Sequence, residues 1–430
     1  MSNVSSARAI AARVLLRVEQ DGSFAAAALS SALEGDKNVS PQDRGLATEL
    51  VYGVLRVRLG LLAELEHLLH RGSPAKLDPL ARTHLLLGLY QFLFLDRVPA
   101  FAATNEAVTL VTEGRGARLG GFVNALLRRA LRELEAGKPK AVARVAWAST
   151  PEWLRQALVR SLGKPGARAF CIDTLQVPPT TVAVLDPTGR DAWLETHRPL
   201  LPTAVLEASG WSPHGVTVTG SAKLAELPGF GETFYVQEEG SQVLALALEV
   251  KPGERVLDVC AGRGQKTSLL AHALGPSGEL VATDLHAAKL AELASRFEAL
   301  GLSEPTCAAV DWSRGSGTVV GPFDAILVDA PCTGIGTLRR RPDLLLRREP
   351  TDLERLPELQ RAILTHASRL LAPGGRLVYA VCSVLDEEGP NVVDAVLAAD
   401  PSLQATRCAR LLPAQHGTDG YFFAVLVKTS

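Results

Sequence analysis

The fold is decided by residues 254–383, which open with Arg255-Val256-Leu257-Asp258-Val259 and continue into Cys260-Ala261-Gly262-Arg263-Gly264-Gln265-Lys266-Thr267. Five short apolar runs occur in this stretch, and helix-length segments separate them. The runs cover residues 255–259, 279–283, 306–310, 324–328 and 376–381. Runs of this length, rich in Val, Leu and Ile, are typical of buried parallel strands. The pattern therefore predicts an open α/β sheet.

Each run ends next to a residue that can do chemistry. Ligands of open α/β sheets bind outside the carboxyl ends of the strands. We therefore expect one crevice to collect these residues: Cys260, Asp284, Asp311, Asp329, Cys332 and Cys382.

The loop after the first run has the features of a cofactor-binding turn. Gly262 and Gly264 permit a tight turn and a close approach of the backbone to a ligand. Gln265 stands where an ATP-binding loop needs Gly before Lys266, so a phosphate-binding loop of that type is not expected. Asp284 ends the next run, where a carboxylate commonly binds the hydroxyls of a ribose. A helix cap is the alternative role for Asp284.

Asp311 follows the third run and precedes Trp312. A carboxylate at this position can accept a hydrogen bond from an adenine amino group. The alternative is a surface turn residue, since Asp is common in turns.

The most specific string is Asp329-Ala330-Pro331-Cys332-Thr333-Gly334-Ile335-Gly336-Thr337. It begins at the end of a buried strand, where a carboxylate is costly without a partner or a function. The run Arg339-Arg340-Arg341 follows, and basic residues beside a catalytic loop suit a polyanionic substrate. A solvated loop is the ordinary alternative for such a run.

Cys382 follows the fifth run, before Ser383 and a predicted acidic helix containing Asp386. A helix N-terminus lowers the pKa of a thiol and favours the reactive thiolate. A single Cys after a strand is more often inert packing, but Cys332 would lie in the same crevice. The six cysteines show no Cys-x-x-Cys spacing, so neither a zinc site nor a disulfide framework is predicted. Free thiols predict a cytoplasmic location.

Residues 6–136 show helical spacing of apolar residues throughout, and Ser40-Pro41 predicts a helix start. Residues 1–145 contain 19 Lys and Arg against 14 Asp and Glu. A basic face for phosphates could therefore form from Arg44, Arg56, Arg58, Arg118, Arg128 and Arg129, with solvated helix surface as the alternative. The first 18 residues predict an amphipathic helix, with a transit peptide as the alternative. The uncharged run 85–95 is too short to span a membrane, so no membrane association is expected.

The region 141–235 predicts a small mixed α/β subdomain, with a strand at Thr180-Thr181-Val182-Ala183-Val184-Leu185. Residues 419–427 predict a final strand at an antiparallel sheet edge.

The N-terminal part resembles the NusB-like RNA-binding domain, through 40–44, 50–56, 104–108 and 122–129. Over nearly its full length the chain resembles bacterial 16S ribosomal RNA (cytosine-C5) methyltransferases of the Fmu/Sun type. Asp-Ala-Pro-Cys at 329–332 and Cys-Ser at 382–383 carry this resemblance. It implies a NusB-like all-α domain at 1–140, a linker α/β subdomain at 141–235, and a Rossmann-like class I methyltransferase domain at 236–430.

The resemblance also implies the site residues and the cofactor, S-adenosyl-L-methionine. Cys382 would be the nucleophile, Cys332 would assist release, and Asp329 would hold the target base. The cofactor would be bound by Cys260, Ala261, Gly262, Arg263, Gly264, Gln265, Lys266, Asp284, Asp311 and Asp329. No metal is expected. The substrate would be a single-stranded or loop cytosine of small-subunit ribosomal RNA, acted on by a monomer.

Two regions depart from the family pattern. The cofactor loop usually reads Cys-Ala-Ala-Pro-Gly-Gly-Lys-Thr, whereas Arg263 and Gln265 replace a Pro and a Gly here. The linker usually carries Arg-Val-Asn after a double Pro, and Ala183-Val184-Leu185 stands nearby instead. Two other functions stay open, namely the same chemistry on transfer RNA and a non-catalytic RNA-binding factor.

Overall fold

The structure is a computed structural model that describes residues 6–36, 39–70, 72–135, 137–220 and 222–429. The chain forms two compact units. The first contains the described residues up to Gln176 together with Leu338–Arg347, and the second contains Val177–Thr337 with the described residues from Arg348 onward. The expected boundaries near residues 140 and 235 stay a prediction.

The first unit is helical, as the spacing of apolar residues predicted. Its helices are α1 Ala7–Gln20, α2 Ala25–Glu34, α3 Pro41–Arg56, α4 Arg58–Leu68, α5 Pro79–Phe94, α6 Ala100–Arg115, α7 Ala117–Glu135, α8 Lys138–Ala148 and α9 Glu152–Asp173. The last of these has a kink at Gly163.

Local signals in the sequence place two of these helices. The hydroxyl of Ser40 accepts a hydrogen bond from the backbone N–H of Asp43 (3.1 Å), and Pro41 is the first residue of α3. This is the predicted helix start, since a side-chain oxygen satisfies a free N–H of the first turn. Helix α5 is buried on all sides, which explains its continuous apolar run. Among the described helices, none combines the length and apolar character needed to cross a membrane.

The second unit contains two sheets and their helices. The elements in chain order are β1 Thr180–Val184, α10 Arg190–His197, β2 Ala204–Ala208, β3 Gly215–Gly220, β4 Phe234–Val236, α11 Glu239–Leu246, β5 Arg255–Asp258, α12 Gln265–Leu274, β6 Glu279–Asp284, α13 Ala287–Ala299, β7 Thr306–Ala309, β8 Phe323–Asp329, α14 Asp352–Ser368, β9 Leu371–Val381, α15 Pro390–Ala399, β10 Leu403–Leu411, α16 Pro413–His416 and β11 Tyr421–Lys428.

The smaller sheet has the order β2-β3-β1-β4 and is antiparallel. Strand β1 is the strand predicted from Thr180 onward. Ala183, Val184 and Leu185 are buried in it or directly after it, with Leu185 only 9% exposed. These residues therefore serve packing, which is consistent with the absence of the usual Arg-Val-Asn.

The larger sheet has the order β10-β11-β9-β8-β5-β6-β7. The five predicted strands β5, β6, β7, β8 and β9 pair in parallel, so the expected α/β architecture is confirmed. Apolar side chains from both faces of these strands are fully buried, including Leu257, Ile326 and Leu377 on one face and Val256 and Leu327 on the other. Burial on both faces explains the continuous apolar runs.

The final strand is antiparallel as predicted, but its position was predicted wrongly. Strand β11 pairs with β9 on one side and with β10 on the other, so β10 forms the sheet edge. Strand β10 is largely exposed and contains Thr406, Arg407 and Arg410. Because an edge strand exposes much of its surface to solvent, its sequence lacks the apolar signal of the inner strands.

Candidate active site

The carboxyl ends of the parallel strands form one cavity of about 260 Å³. Five of the predicted site residues line it, namely Cys260, Gly262, Asp284, Asp311 and Asp329. Carboxylates thus face the cavity from three strands, and Pro331, Leu359 and Ile363 give it an apolar wall. Such a cavity suits a ligand that has polar and positively charged groups at one end and an apolar ring at the other end.

The turn after β5 is held tightly. Gly262 and Gly264 have φ angles of +57° and +82°, a conformation that glycine adopts without strain. A Cβ at Gly264 would lie 2.7 Å from Cγ of Leu293 on α13, so only glycine allows this close packing. The backbone N–H of Gly262 donates to Oδ2 of Asp284 (3.1 Å), which joins the turn to the end of β6.

The two unusual residues of this turn point away from the cavity. Arg263 forms an ion pair with Glu292 (2.7 Å), and its side chain is 67% exposed. The amide of Gln265 donates to the carbonyl of Val236 (2.9 Å). Neither lines the cavity, and nor do Ala261, Gly264 and Lys266. Both replacements are therefore accommodated without placing a side chain in the cavity.

Asp284 is buried and has several partners. Its Oδ1 accepts a hydrogen bond from the N–H of His286 (2.9 Å) and lies 3.2 Å from Nζ of Lys289. It is not the cap of α13, because His286 precedes the first residue of that helix. Lys289 was not predicted as a site residue, although its place in the first turn of the helix after Asp284 is a usable signal.

Asp311 is more exposed than the other carboxylates of the cavity. Its Oδ1 accepts hydrogen bonds from the hydroxyl (2.6 Å) and the N–H (3.1 Å) of Ser313, and the hydroxyl bond above all lowers the pKa of Asp311. The neighbouring Trp312 is buried, and its indole N–H donates to Thr283 (2.9 Å). Asp311 thus has the contacts of a turn residue and also faces the cavity, so both roles considered for it stay open.

Asp258 is buried behind the cavity wall, and Cys260 lines the cavity next to it. Burial raises the pKa of Asp258 to about 7, and a hydrogen bond from Thr267 (2.7 Å) opposes this only in part. The second oxygen of Asp258 is buried and has no hydrogen-bond partner among the described residues. Burial, followed by the charges of Asp258 and Asp329, raises the pKa of Cys260 well above its ordinary value. Cys260 is therefore a neutral thiol at neutral pH.

Lys266 and Asp329 form an ion pair between two loops. Nζ of Lys266 lies 2.6 Å from Oδ2 of Asp329, with side-chain exposures of 15% and 30%. Burial lowers the pKa of Lys266, but the charge of Asp329 and their hydrogen bond outweigh it, so the pKa is raised. Lys266 therefore stays charged at neutral pH. The sequence placed Lys266 in the cofactor loop and gave no sign of this pairing.

Cys332 and Cys382 contact each other. Their Sγ atoms are 3.2 Å apart, although the residues lie 50 positions apart in the sequence. The hydrogen bond with Cys382, followed by burial, raises the pKa of Cys332 well above its ordinary value. Cys332 is therefore a neutral thiol that can donate to the sulfur of Cys382.

The helix predicted after Cys382 was wrong. Residues 384–389 have no helical structure, and α15 begins only at Pro390. Cys382 is instead held by the backbone, since its carbonyl accepts a hydrogen bond from the N–H of Gly336 (3.0 Å). The acidic residues suggested a helix start, but Glu388 is fully buried and bonds to another loop. Burial of a carboxylate depends on tertiary partners and leaves no local signal.

The arginines that follow Thr337 mostly make internal contacts. Arg339 is buried, and its carbonyl accepts a hydrogen bond from Arg56 (3.1 Å) within the first unit. In the same unit Arg347 lies over the ring of Phe24 (4.0 Å). Arg341 is exposed. Fewer arginines of this run are therefore available to bind a polyanion than the sequence predicted.

Four of the six arginines considered in the first unit also bond internally. Arg44, Arg56, Arg58 and Arg129 donate to backbone carbonyls or to Glu19 and Glu133. Arg118 and Arg128 are exposed on α7, and Arg132 lies on the same face with exposed Gly121 and Ala125 between them. We call Arg118, Arg128 and Arg132 the α7 stripe. Among the described residues, no cluster of three or more His, Cys, Asp and Glu is arranged to hold a metal ion.

Two family models match the chain. Residues 245–427 match the family described as 16S rRNA methyltransferase RsmB/F, and residues 5–132 match the NusB family. The first match contains the described cavity and both contacting cysteines. The second covers most of the helical unit.

Relatives of similar length are also similar in sequence. Ribosomal RNA small subunit methyltransferase B of Pseudomonas syringae pv. tomato is 35% identical over 91% of this chain and 90% of its own. The probable ribosomal RNA small subunit methyltransferase B of Bacillus subtilis is 31% identical over 99% of each chain.

Solved structures share the fold. The crystal structure of PH0851 has a TM-score of 0.78 at 22% identity and covers 97% of this chain and 98% of its own. The structure of NSun6 from Pyrococcus horikoshii with SFG has a TM-score of 0.59 at 20% identity, covering 65% and 98%. At these identities the likeness concerns the fold.

Proposed function

The chain belongs to the 16S rRNA methyltransferase RsmB/F family, and we propose that it methylates carbon 5 of one cytosine in small-subunit ribosomal RNA through a covalent bond to Cys382. It is an RNA methyltransferase that depends on S-adenosyl-L-methionine. The target carbon and the covalent route go beyond the family assignment.

The residues of the cavity fit the cofactor. Three carboxylates, from Asp284, Asp311 and Asp329, suit ribose hydroxyls, an amino group and a positive charge, and Pro331 with Ile363 suits an aromatic ring. When bound, S-adenosyl-L-methionine supplies the methyl group. We propose that Asp284 holds the ribose, that Asp311 accepts from the adenine amino group, and that Cys260 and Gly262 pack against the ligand.

Cys382 is proposed as the nucleophile. Carbon 5 of cytosine reacts poorly with a methyl donor, and adding a thiolate at carbon 6 makes carbon 5 electron-rich. The thiol of Cys332 can donate a hydrogen bond to Cys382 at 3.2 Å and so stabilise a thiolate there. This contact is the observation that supports the proposal most.

Cys332 is proposed to assist release. After methyl transfer, the proton on carbon 5 leaves to water beside Cys332. The electron pair of the broken C–H bond restores the double bond between carbons 5 and 6, and the sulfur of Cys382 leaves carbon 6. Two thiols in contact are suited to this division of work.

Asp329 is proposed to hold the target base at its ring nitrogen and to stabilise the proton gained there. Its partner Lys266 stays charged at neutral pH, because the charge of Asp329 raises its pKa. The pair therefore keeps the carboxylate of Asp329 oriented before the base arrives.

The substrate is proposed to be an unpaired cytosine, because a base must leave its stack to reach a recessed site. We further propose that the protein acts as a monomer in the cytoplasm. Its six free cysteines support a reducing compartment.

The test is methylation of a 16S ribosomal RNA transcript by the purified protein with S-adenosyl-L-methionine, read by bisulfite sequencing. We expect one protected cytosine in the ribosomal RNA and none in a transfer RNA pool. Protection only in transfer RNA would replace the substrate. Absence of methylation in both, with cofactor binding absent as well, would favour a non-catalytic RNA-binding role.

A further inference from the structure

The carboxylate of Glu388 is completely buried and is bonded to the loop that carries Cys332. Its Oε1 accepts hydrogen bonds from the N–H of Thr333 (2.7 Å) and from Nε2 of Gln360 (3.1 Å). Its Oε2 accepts from the hydroxyl of Thr333 (2.5 Å). Burying a polar group without partners is costly, and these three hydrogen bonds satisfy both oxygens of Glu388. Glu388 therefore fixes Thr333 strongly.

Two more side chains hold the same loop by its carbonyls. Nε2 of Gln360 donates to the carbonyl of Pro331 (2.9 Å), and Gln360 is also completely buried. Arg348 donates to the carbonyls of Thr333 (2.7 Å) and Cys332 (3.3 Å). The carbonyls of three successive residues are thus each bonded to a side chain, in a segment without regular secondary structure.

These three side chains come from separate parts of the second unit. Gln360 lies on α14, Arg348 precedes that helix, and Glu388 lies between β9 and α15. The hydroxyl of Tyr379 donates to the carbonyl of Glu388 (2.6 Å) and so attaches Glu388 to the end of β9. The loop of Cys332 is therefore tied to the strand that leads to Cys382.

We propose that Glu388, Gln360 and Arg348 are positioning residues that hold the thiol of Cys332 against Cys382 and so make the release step fast. We call them the loop clamp. This inference rests on the proposed function, because release is the step assigned to Cys332. The clamp does not touch the base or the cofactor in this assignment.

The test measures how much covalent adduct between protein and RNA accumulates. In Glu388→Gln, an amide N–H₂ replaces one oxygen and cannot accept the hydrogen bond that Thr333 donates to it, so the loop should shift. We expect methyl transfer to continue and release to slow by about tenfold, the effect of leaving one buried polar group without its hydrogen bond. The adduct should accumulate on denaturing gels as it does in Cys332→Ala, with unchanged cofactor affinity.

A loss of stability alone would give a different result. It would reduce methyl transfer and adduct together, in proportion to the folded fraction. Glu358→Gln is the matched control, since Glu358 lies exposed on the same helix as Gln360. It should release RNA at the normal rate.

Arg348→Ala is the second variant if Glu388→Gln does not fold, because the side chain of Arg348 is partly exposed at 23%. It should also accumulate adduct, and Arg348→Lys should restore part of the release rate. Adduct in Cys332→Ala without any in the clamp variants would overturn the clamp and leave the proposed function intact.

A second measurement does not depend on RNA. Under native conditions, iodoacetamide should label Cys332 several-fold faster in Glu388→Gln or Arg348→Ala than in the unmodified protein, as read by peptide mass spectrometry. If neither Cys332→Ala nor Cys382→Ala gives an adduct, the covalent route fails, and these labelling rates alone decide the clamp. Unchanged rates in both variants would overturn it.

Discussion

The Sγ atoms of Cys332 and Cys382 lie 3.2 Å apart, at the beginnings of the segments that follow the neighbouring strands β8 and β9. The contact allows one thiol to assist the other. The two roles can be separated by single substitutions, since removing either sulfur leaves the other in place.

Cys382→Ala should abolish methyl transfer, because no thiolate remains to add to carbon 6 of the base. The affinity for S-adenosyl-L-methionine should be nearly unchanged, since Cys382 does not line the cavity. Turnover and calorimetric cofactor binding are the two measurements. Retention of more than a few per cent of turnover would remove Cys382 from the nucleophile role.

Cys332→Ala should accumulate a covalent adduct between Cys382 and methylated RNA, because methyl transfer can occur and release cannot. The adduct should survive denaturing electrophoresis, require S-adenosyl-L-methionine and be absent from the double variant Cys332→Ala/Cys382→Ala. An adduct in Cys382→Ala and none in Cys332→Ala would reverse the two roles.

Asp284→Ala should weaken the binding of S-adenosyl-L-methionine by about 1.5–3 kcal/mol, the range for a hydrogen bond to a charged group. Asp284 lines the cavity and orients the N–H of Gly262. Glu292→Ala is the control, because Glu292 pairs with Arg263 outside the cavity. Equal affinities for both variants by calorimetry would limit Asp284 to a structural role.

Asp258→Asn should change how stability depends on pH. Burial raises the pKa of Asp258 to about 7 in the folded protein, from 3.8 without the fold. Between these values the folded state binds the extra proton, so the free energy of unfolding falls as the pH rises toward 7. Asp258→Asn has no carboxyl group that titrates at this position, so it lacks this pH-dependent contribution to the free energy of unfolding.

The measurement is thermal unfolding of both proteins at pH 5, 6, 7 and 8. From pH 5 to pH 8 the unmodified protein should lose on the order of 2 kcal/mol relative to Asp258→Asn, since each pKa unit corresponds to about 1.4 kcal/mol. Comparing the two proteins cancels the other titrating groups. Parallel pH curves would mean that Asp258 is ionised in the fold.

Neutralising the α7 stripe should weaken RNA binding and its salt dependence. Each lost phosphate contact makes the plot of log K against log salt less steep by about 0.7–0.9. Replacing Arg118, Arg128 and Arg132 by Ala should therefore reduce the steepness by roughly 2. The triple Lys variant is the control, because it keeps the charge. Identical slopes for the Ala and Lys variants would show that RNA binds elsewhere.

Local patterns were sufficient where the structure depends on neighbours in sequence. The helix at Pro41 follows from Ser40 as its cap, and the five parallel strands follow from apolar runs buried on both faces. Strand β10 was missed, because an exposed edge strand carries little apolar signal. The helix after Cys382 was predicted from acidic residues, one of which is buried for a tertiary reason.

The sequence by itself determined that carboxylates and cysteines follow the strands of a parallel sheet, because apolar runs form the strands and the helix-length segments between them favour parallel pairing. Only the tertiary structure decided that Lys266 pairs with Asp329, that Glu388 bonds to Thr333 and that Arg339 and Arg347 bond internally. These contacts join residues far apart in the chain. They depend on strand order and loop packing, which set the distances between side chains and which no local spacing of residues encodes.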